Sequence, residues 1–108
     1  MSDGISNSAI QAPERCQTMA EVRAGVDDVD RALLVLLTRR FGYMDAAARI
    51  KQSRDAVRDE ARKAQVIANV RAEAVVQGLP EALLAQIWDV LVEGSIAYEL
   101  DRWDQIRS

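Results

Sequence analysis

Apolar residues recur at a spacing of three and four for longest between Thr18 and Lys51. They fall at Val22, Val26, Val29, Leu33, Leu36, Tyr43, Ala47 and Ile50, and no proline interrupts the run. That spacing predicts one long amphipathic helix. Thr18-Met19-Ala20-Glu21 predicts how it starts, because the Thr hydroxyl and the Glu carboxylate can each accept an early backbone N–H. At ~1.5 Å per residue the helix spans about 50 Å, against a radius of gyration of roughly 13 Å for a compact chain of this size. Two shorter helices of the same chain cannot cover a stripe of that length. The pattern therefore predicts a second copy alongside it.

The rest of the chain reads as shorter pieces of the same kind. Residues 1–12 carry Ser, Asn and Gly and read as a flexible leader, leaving 13–108 as a single helical domain. Gln52-Ser53-Arg54-Asp55-Ala56 is polar, has no stripe and reads as a loop. A second helix is expected from about Val57 to Gln77, with Val66, Ile67, Val70, Ala74 and Val75 on its apolar face and Gly78 just beyond its end. Pro80 suits the first turn of a third helix running to about Ile106, whose inner face is Leu84, Trp88, Leu91, Ser95, Tyr98, Glu99 and Arg102. No alternating run suggests a strand. The expected class is all-α, with a long, a medium and a long helix.

Composition then narrows the chemistry. Apolar residues make up 49% of the chain and aromatics 5%, so its core must be built from aliphatic side chains. A net charge of −3 argues against a nucleic-acid partner, which would need a basic patch on a basic domain. The absence of histidine removes Ser-His-Asp triads and most zinc or haem sites. The single cysteine, Cys16, offers neither a disulfide framework nor a metal set and reads as a small packing residue. No cofactor and no metal are expected. No apolar run approaches membrane-spanning length and no signal-peptide pattern opens the chain, so the expected location is the cytoplasm, with no membrane partner.

One position breaks the long stripe. The slot after Leu36 holds Arg40, and Lys51, about three turns further on, points the same way. An arginine at a stripe edge is ordinarily a snorkelling side chain. Two cations converging on an apolar face need counter-charge, however, and so suggest an anion site. Arginine brings a bidentate fork for a carboxylate, and lysine a point charge and a donor. Arg23 lies about 25 Å from Arg40 along the axis. One small ligand can therefore reach Arg40 of one chain and Arg23 only of another, with the two helices antiparallel. Arg58, Asp59, Arg62 and Lys63 give the second helix a charged start. Most such charges are simply solvated, but Asp59 and Arg62 share a face and either pair or line a pocket. Glu99 is either a stripe-edge carboxylate pairing with Arg102 or a buried carboxyl able to donate a hydrogen bond when protonated. Ser95 has no base partner and is at most a polar contact; Trp88, Tyr98 and Trp103 read as packing residues. Such a set has no nucleophile–base pair. It suits a small dianion and a reaction that needs only positioning and charge stabilisation.

The order Arg23, Arg40, Lys51, Asp59, Arg62 and a polar residue at 99 resembles the all-α chorismate mutases and their close relatives, the bacterial isochorismate-pyruvate lyases. The likeness runs from Pro13-Glu14-Arg15-Cys16, similar to the lyase leader, to Tyr98-Glu99-Leu100-Asp101-Arg102-Trp103. It implies an intertwined homodimer of three-helix chains with two active sites and cofactor-free rearrangement of chorismate to prephenate. Arg40, Lys51 and Arg62 of one chain and Arg23 of the other would clamp the two carboxylates. Lys51 and Glu99 would face the ether oxygen, Asp59 the ring hydroxyl and Ser95 a carboxylate. Two positions depart from the common pattern. Glu99 stands where many members have Gln, and Lys63 where mutases often have Glu. Val57-Arg58-Asp59 reads more like the mutases than like the proline-bearing loop of the lyases, so chorismate is the expected substrate. The alternatives are lysis of isochorismate to salicylate and pyruvate, or a non-catalytic helical dimer module.

Overall fold

The computed structural model describes residues 10–108. Most of the expected leader, residues 1–9, lies outside the described residues. Three helices follow: α1 (Met19–Ile50), α2 (Glu60–Gln77) and α3 (Glu81–Arg107), with short 3-10 turns at Pro13–Arg15 and Arg54–Ala56. Among the described residues there is no strand, and no helix is long and apolar enough to cross a membrane. The fold is all-α, as the periodicity predicts.

Local chemistry fixes the helix ends. The Glu21 N–H donates to Thr18 Oγ1 at 3.2 Å, while Glu21 Oε1 accepts from the N–H groups of Thr18 at 3.2 Å and Gln17 at 2.8 Å. This is a closed capping box. At the end of α2, Gly78 takes a φ of 73°, a left-handed conformation that favours glycine. The Gly78 N–H reaches Val75 O at 3.2 Å and the Leu79 N–H reaches Ala74 O at 2.8 Å, so two orphan carbonyls are satisfied before the chain turns into α3.

The start of α2 is later than the expected Val57. Residues Arg54–Ala56 form a 3-10 turn, Val57 is buried, and Asp59 caps the helix by accepting the Arg62 N–H at 3.0 Å. Once its carboxylate takes that N–H, Asp59 sits outside the helix as its N-cap.

The described residues group into two compact units, one ending at Arg40 and the other comprising Phe41–Ser108, and α1 runs through both. In the first unit the segment from Ile10 to Cys16 lies over the early turns of α1. It borders an open apolar hollow of about 670 Å³, lined by Ile10, Pro13, Cys16, Val22, Val26 and Val29 among others. Cys16 is half-buried there, as expected of a packing residue. Much of the α1 stripe is exposed: Val26 at 53%, Leu33 at 50% and Leu36 at 58%.

The second unit holds the end of α1, α2 and α3, and its buried side chains are small: Ala48, Val57, Ala74, Ala85 and Val92, with Ser95 and Glu99. Small residues let helix axes approach closely. On α2 the predicted Ala74 is buried and Val66, Ile67 and Val70 are half-buried, whereas Val75, expected on the same face, is exposed at 60%. On α3 the predicted face holds: Leu84, Trp88, Leu91, Tyr98 and Arg102 are half-buried, and Ser95 and Glu99 are buried.

Candidate active site

Lys51 directly follows α1, its N–H still bonded to Ala47 O at 2.9 Å. Its Nζ lies 2.9 Å from Glu99 Oε2, on the inner face of α3, and donates to Val57 O at 3.4 Å. Only 5% of the Glu99 side chain is exposed, against 31% of Lys51. The charges are close but poorly aligned for hydrogen bonding, and Glu99 Oε2 is a buried oxygen with no hydrogen-bond partner. One turn before Glu99, the buried Ser95 hydroxyl donates to Leu91 O at 2.7 Å.

The backbone of Lys51 is held by the end of α3. Trp103 Nε1–H donates to Lys51 O at 3.0 Å; Arg107 donates to the same oxygen at 2.7 Å and to Ala48 O at 3.0 Å. The guanidinium of Arg107 also lies 4.2 Å over the Trp103 ring. The last carbonyls of α1, otherwise without helical partners, thus meet a cation at the negative end of the helix. Trp103, read from sequence as a packing residue, also serves as a donor here.

A second anchor sits earlier on α1. Asp45 Oδ1 accepts from the Tyr98 hydroxyl at 2.7 Å and from Arg102 Nε at 3.0 Å. Phe41 meets the Tyr98 ring edge-on at 4.9 Å. The hydrogen bond to Asp45 raises the Tyr98 hydroxyl above its ordinary pKa, with burial adding to the effect. Arg102 therefore pairs with Asp45 and Glu99 with Lys51; of the two readings of Glu99, the side chain is the buried carboxyl and not the stripe-edge partner of Arg102.

Ion pairs hold the connection from Lys51 to α2 against α3. Arg54 makes a two-pronged bond to Asp104, at 2.9 and 3.2 Å. Glu93 receives Arg58 at 2.7 Å and Lys63 at 2.7 Å; Lys63 also pairs with Asp89 at 3.0 Å, and Arg58 with Glu60 at 2.7 Å. Hydrogen bonds from Arg58 and then Lys63 hold the Glu93 carboxyl down at about 2. Arg54, Arg58 and Lys63 are correspondingly raised by their carboxylate partners.

A family model described as chorismate mutase type II matches residues 22–100, from early α1 through the Glu99 turn of α3. The chain belongs to the type II chorismate mutase family. It is also similar to the isochorismate pyruvate lyase of Pseudomonas aeruginosa, 28% identical over 98 residues, which cover 91% of this chain and 97% of that protein.

The span shared with the type II chorismate mutases contains Arg23, Arg40, Lys51, Asp59, Arg62, Ser95 and Glu99. Of these the second unit brings together Lys51 and Glu99, with Ser95 one turn away. Asp59 is taken up as the cap of α2, and Arg62 turns its side chain to Gln65 Oε1 at 2.7 Å. They are linked by a side chain-to-backbone bond, not by the side-chain pair that their spacing allows. In the first unit Arg23 is exposed and Arg40 half-buried on α1. Asp45 and Arg107 were not singled out from sequence. One signal was present: a carboxylate within the last two turns of a helix opposes the macrodipole and needs a cation nearby.

Proposed function

We propose that this chain is a chorismate mutase that rearranges chorismate to prephenate without a cofactor. The observation that carries the reading is the Lys51–Glu99 pair. A lysine is set against a buried carboxyl whose Oε2 has no hydrogen bond, with no nucleophile–base pair beside it. In the rearrangement the ether C–O bond breaks as a C–C bond forms, and charge grows on the departing oxygen. Fixed donors aimed at that oxygen stabilise the transition state more than the ground state. Lys51 is proposed to donate to it, joined by Glu99 in its protonated form. Arg40, Arg62 and Lys51 of one copy and Arg23 of a second are proposed to hold the two carboxylates, with Asp59 at the ring hydroxyl and Ser95 near a carboxylate. The exposed stripe of α1 supports the second copy, since it is the apolar surface that pairing would remove from water.

A second reading, cleavage of isochorismate to salicylate and pyruvate, is favoured by the relative of that name, which matches along nearly its whole length. The same kind of ether bond breaks there, so the same donors would serve. The test is one assay of the purified protein with chorismate and isochorismate side by side. Prephenate from chorismate is expected. Salicylate from isochorismate, with chorismate untouched, would make it the lyase. Turnover of neither would leave a helical dimer module.

A further inference from the structure

We infer that Asp45 is a positioning residue: by holding Tyr98 and Arg102 at one carboxylate oxygen, it fixes the register in which Glu99 meets Lys51. Its effect on turnover rests on the proposed reading of Lys51 and Glu99; its effect on their geometry does not.

The two donors that meet Asp45 Oδ1, at 2.7 and 3.0 Å, flank Glu99 on α3. Asp45 lies on the same helix that delivers Lys51. The Lys51–Glu99 contact cannot hold this register alone, because Glu99 Oε2 takes no hydrogen bond and Lys51 ends in a flexible chain. A slip of one residue moves a helix by ~1.5 Å and turns it by about 100°, enough to part groups that sit 2.9 Å from each other. Trp103 and Arg107 fasten the last turn of α1, at Lys51 O and Ala48 O, to the end of α3. Asp45 adds a fastening further back on α1, to the turn of α3 that carries Glu99. A carboxylate near the carbonyl end of a helix is electrostatically unfavourable by itself. The Arg102 guanidinium at 3.0 Å offsets that cost, so the interaction is specific to this pairing.

The test uses the full chain with Asp45→Asn, which keeps an oxygen acceptor, and Asp45→Ala, which does not. Steady-state kinetics on chorismate are read beside the Glu99 carboxyl ¹³C resonance. Asp45→Ala is expected to lower kcat about 10- to 100-fold with KM little changed, as a misplacement of about 1 Å does. It should also move the Glu99 resonance, and Asp45→Asn should restore most of both. Unchanged kcat and resonance in Asp45→Ala, with only a lower Tm, would overturn the proposal and leave Asp45 a stabilising contact. If the wild type converts neither chorismate nor isochorismate, the functional reading fails and the resonance decides: movement in the Ala variant but not the Asn variant supports the positioning role, and no movement overturns it. Should Asp45→Ala not fold, Tyr98→Phe removes one donor alone. A smaller shift in the same direction is then expected, and no shift would overturn the proposal.

Discussion

Lys51 is the counter-charge of a carboxyl that has almost no water around it, so substitutions at the two positions should not be independent. Lys51→Ala leaves Glu99 buried and unpaired, which should cost about 1–3 kcal/mol of stability after allowing for the partial exposure of the lysine. If the proposed mechanism holds, it should also cost roughly 10²- to 10³-fold in kcat, as losing one transition-state donor does. Adding Glu99→Gln should recover much of the stability but not the turnover. Thermal melts and kinetics of the two single variants and the double variant check this, and strictly additive stability losses would contradict it. The Tyr98 hydroxyl gives a spectroscopic check on Asp45. Raised by that carboxylate, it should ionise later in an alkaline absorbance titration than in Asp45→Asn. At this scale the sequence singled out Arg40, Lys51 and Glu99 because they interrupt or edge an apolar stripe, and the structure brings Lys51 and Glu99 together. The partners of Asp45 were out of its reach, since Tyr98 and Arg102 lie 53 and 57 residues away. Periodicity says which face a side chain lies on, not which distant polar group it meets.

Helix ends were legible where their chemistry is local. Thr18 and Glu21 close a box within one turn, Gly78 supplies the left-handed turn, and Pro80 precedes the first residue of α3. The start of α2 was not legible, because Asp59 stands among Arg58, Glu60 and Arg62 and looks like one more surface charge. Only the geometry shows its carboxylate on the Arg62 N–H. The charged start of α2 nevertheless makes a definite prediction through Glu93, which receives both Arg58 and Lys63. Its folded value, about 2, lies below the ordinary 4.5, so the native state favours the ionised form. The stability this contributes is present above about 4.5 and is lost as pH falls from there towards 2. Melting temperatures measured across that window should fall more steeply for the wild type than for Glu93→Gln. Because these side chains are partly exposed, high salt should shrink the difference. Parallel curves would remove Glu93 from the acid response.

For the whole molecule the decisive feature is apolar surface. The α1 stripe stays open at Val26, Val29, Leu33 and Leu36, and α3 adds exposed Leu83, Ile87 and Val90. The length of the stripe was legible from its spacing; what covers it was not, since one chain's sequence does not say where a second chain sits. A homodimer is the expected assembly, and sedimentation showing a folded monomer at micromolar concentration would contradict it. If each active site borrows Arg23 from the partner copy, two dead variants should repair each other. Arg23→Ala and Arg40→Ala are each expected to lose most activity alone. A heterodimer of the two keeps one complete site, with Arg40 and Arg23 intact, while its other site lacks both. Half of randomly re-paired dimers are mixed, so about a quarter of wild-type chorismate turnover should return. That turnover, measured after unfolding and refolding the variants together, is the most direct test of a chorismate-converting site shared between two copies. Recovery to about that level is the predicted result. Activity no higher than that of the separately refolded variants would contradict it.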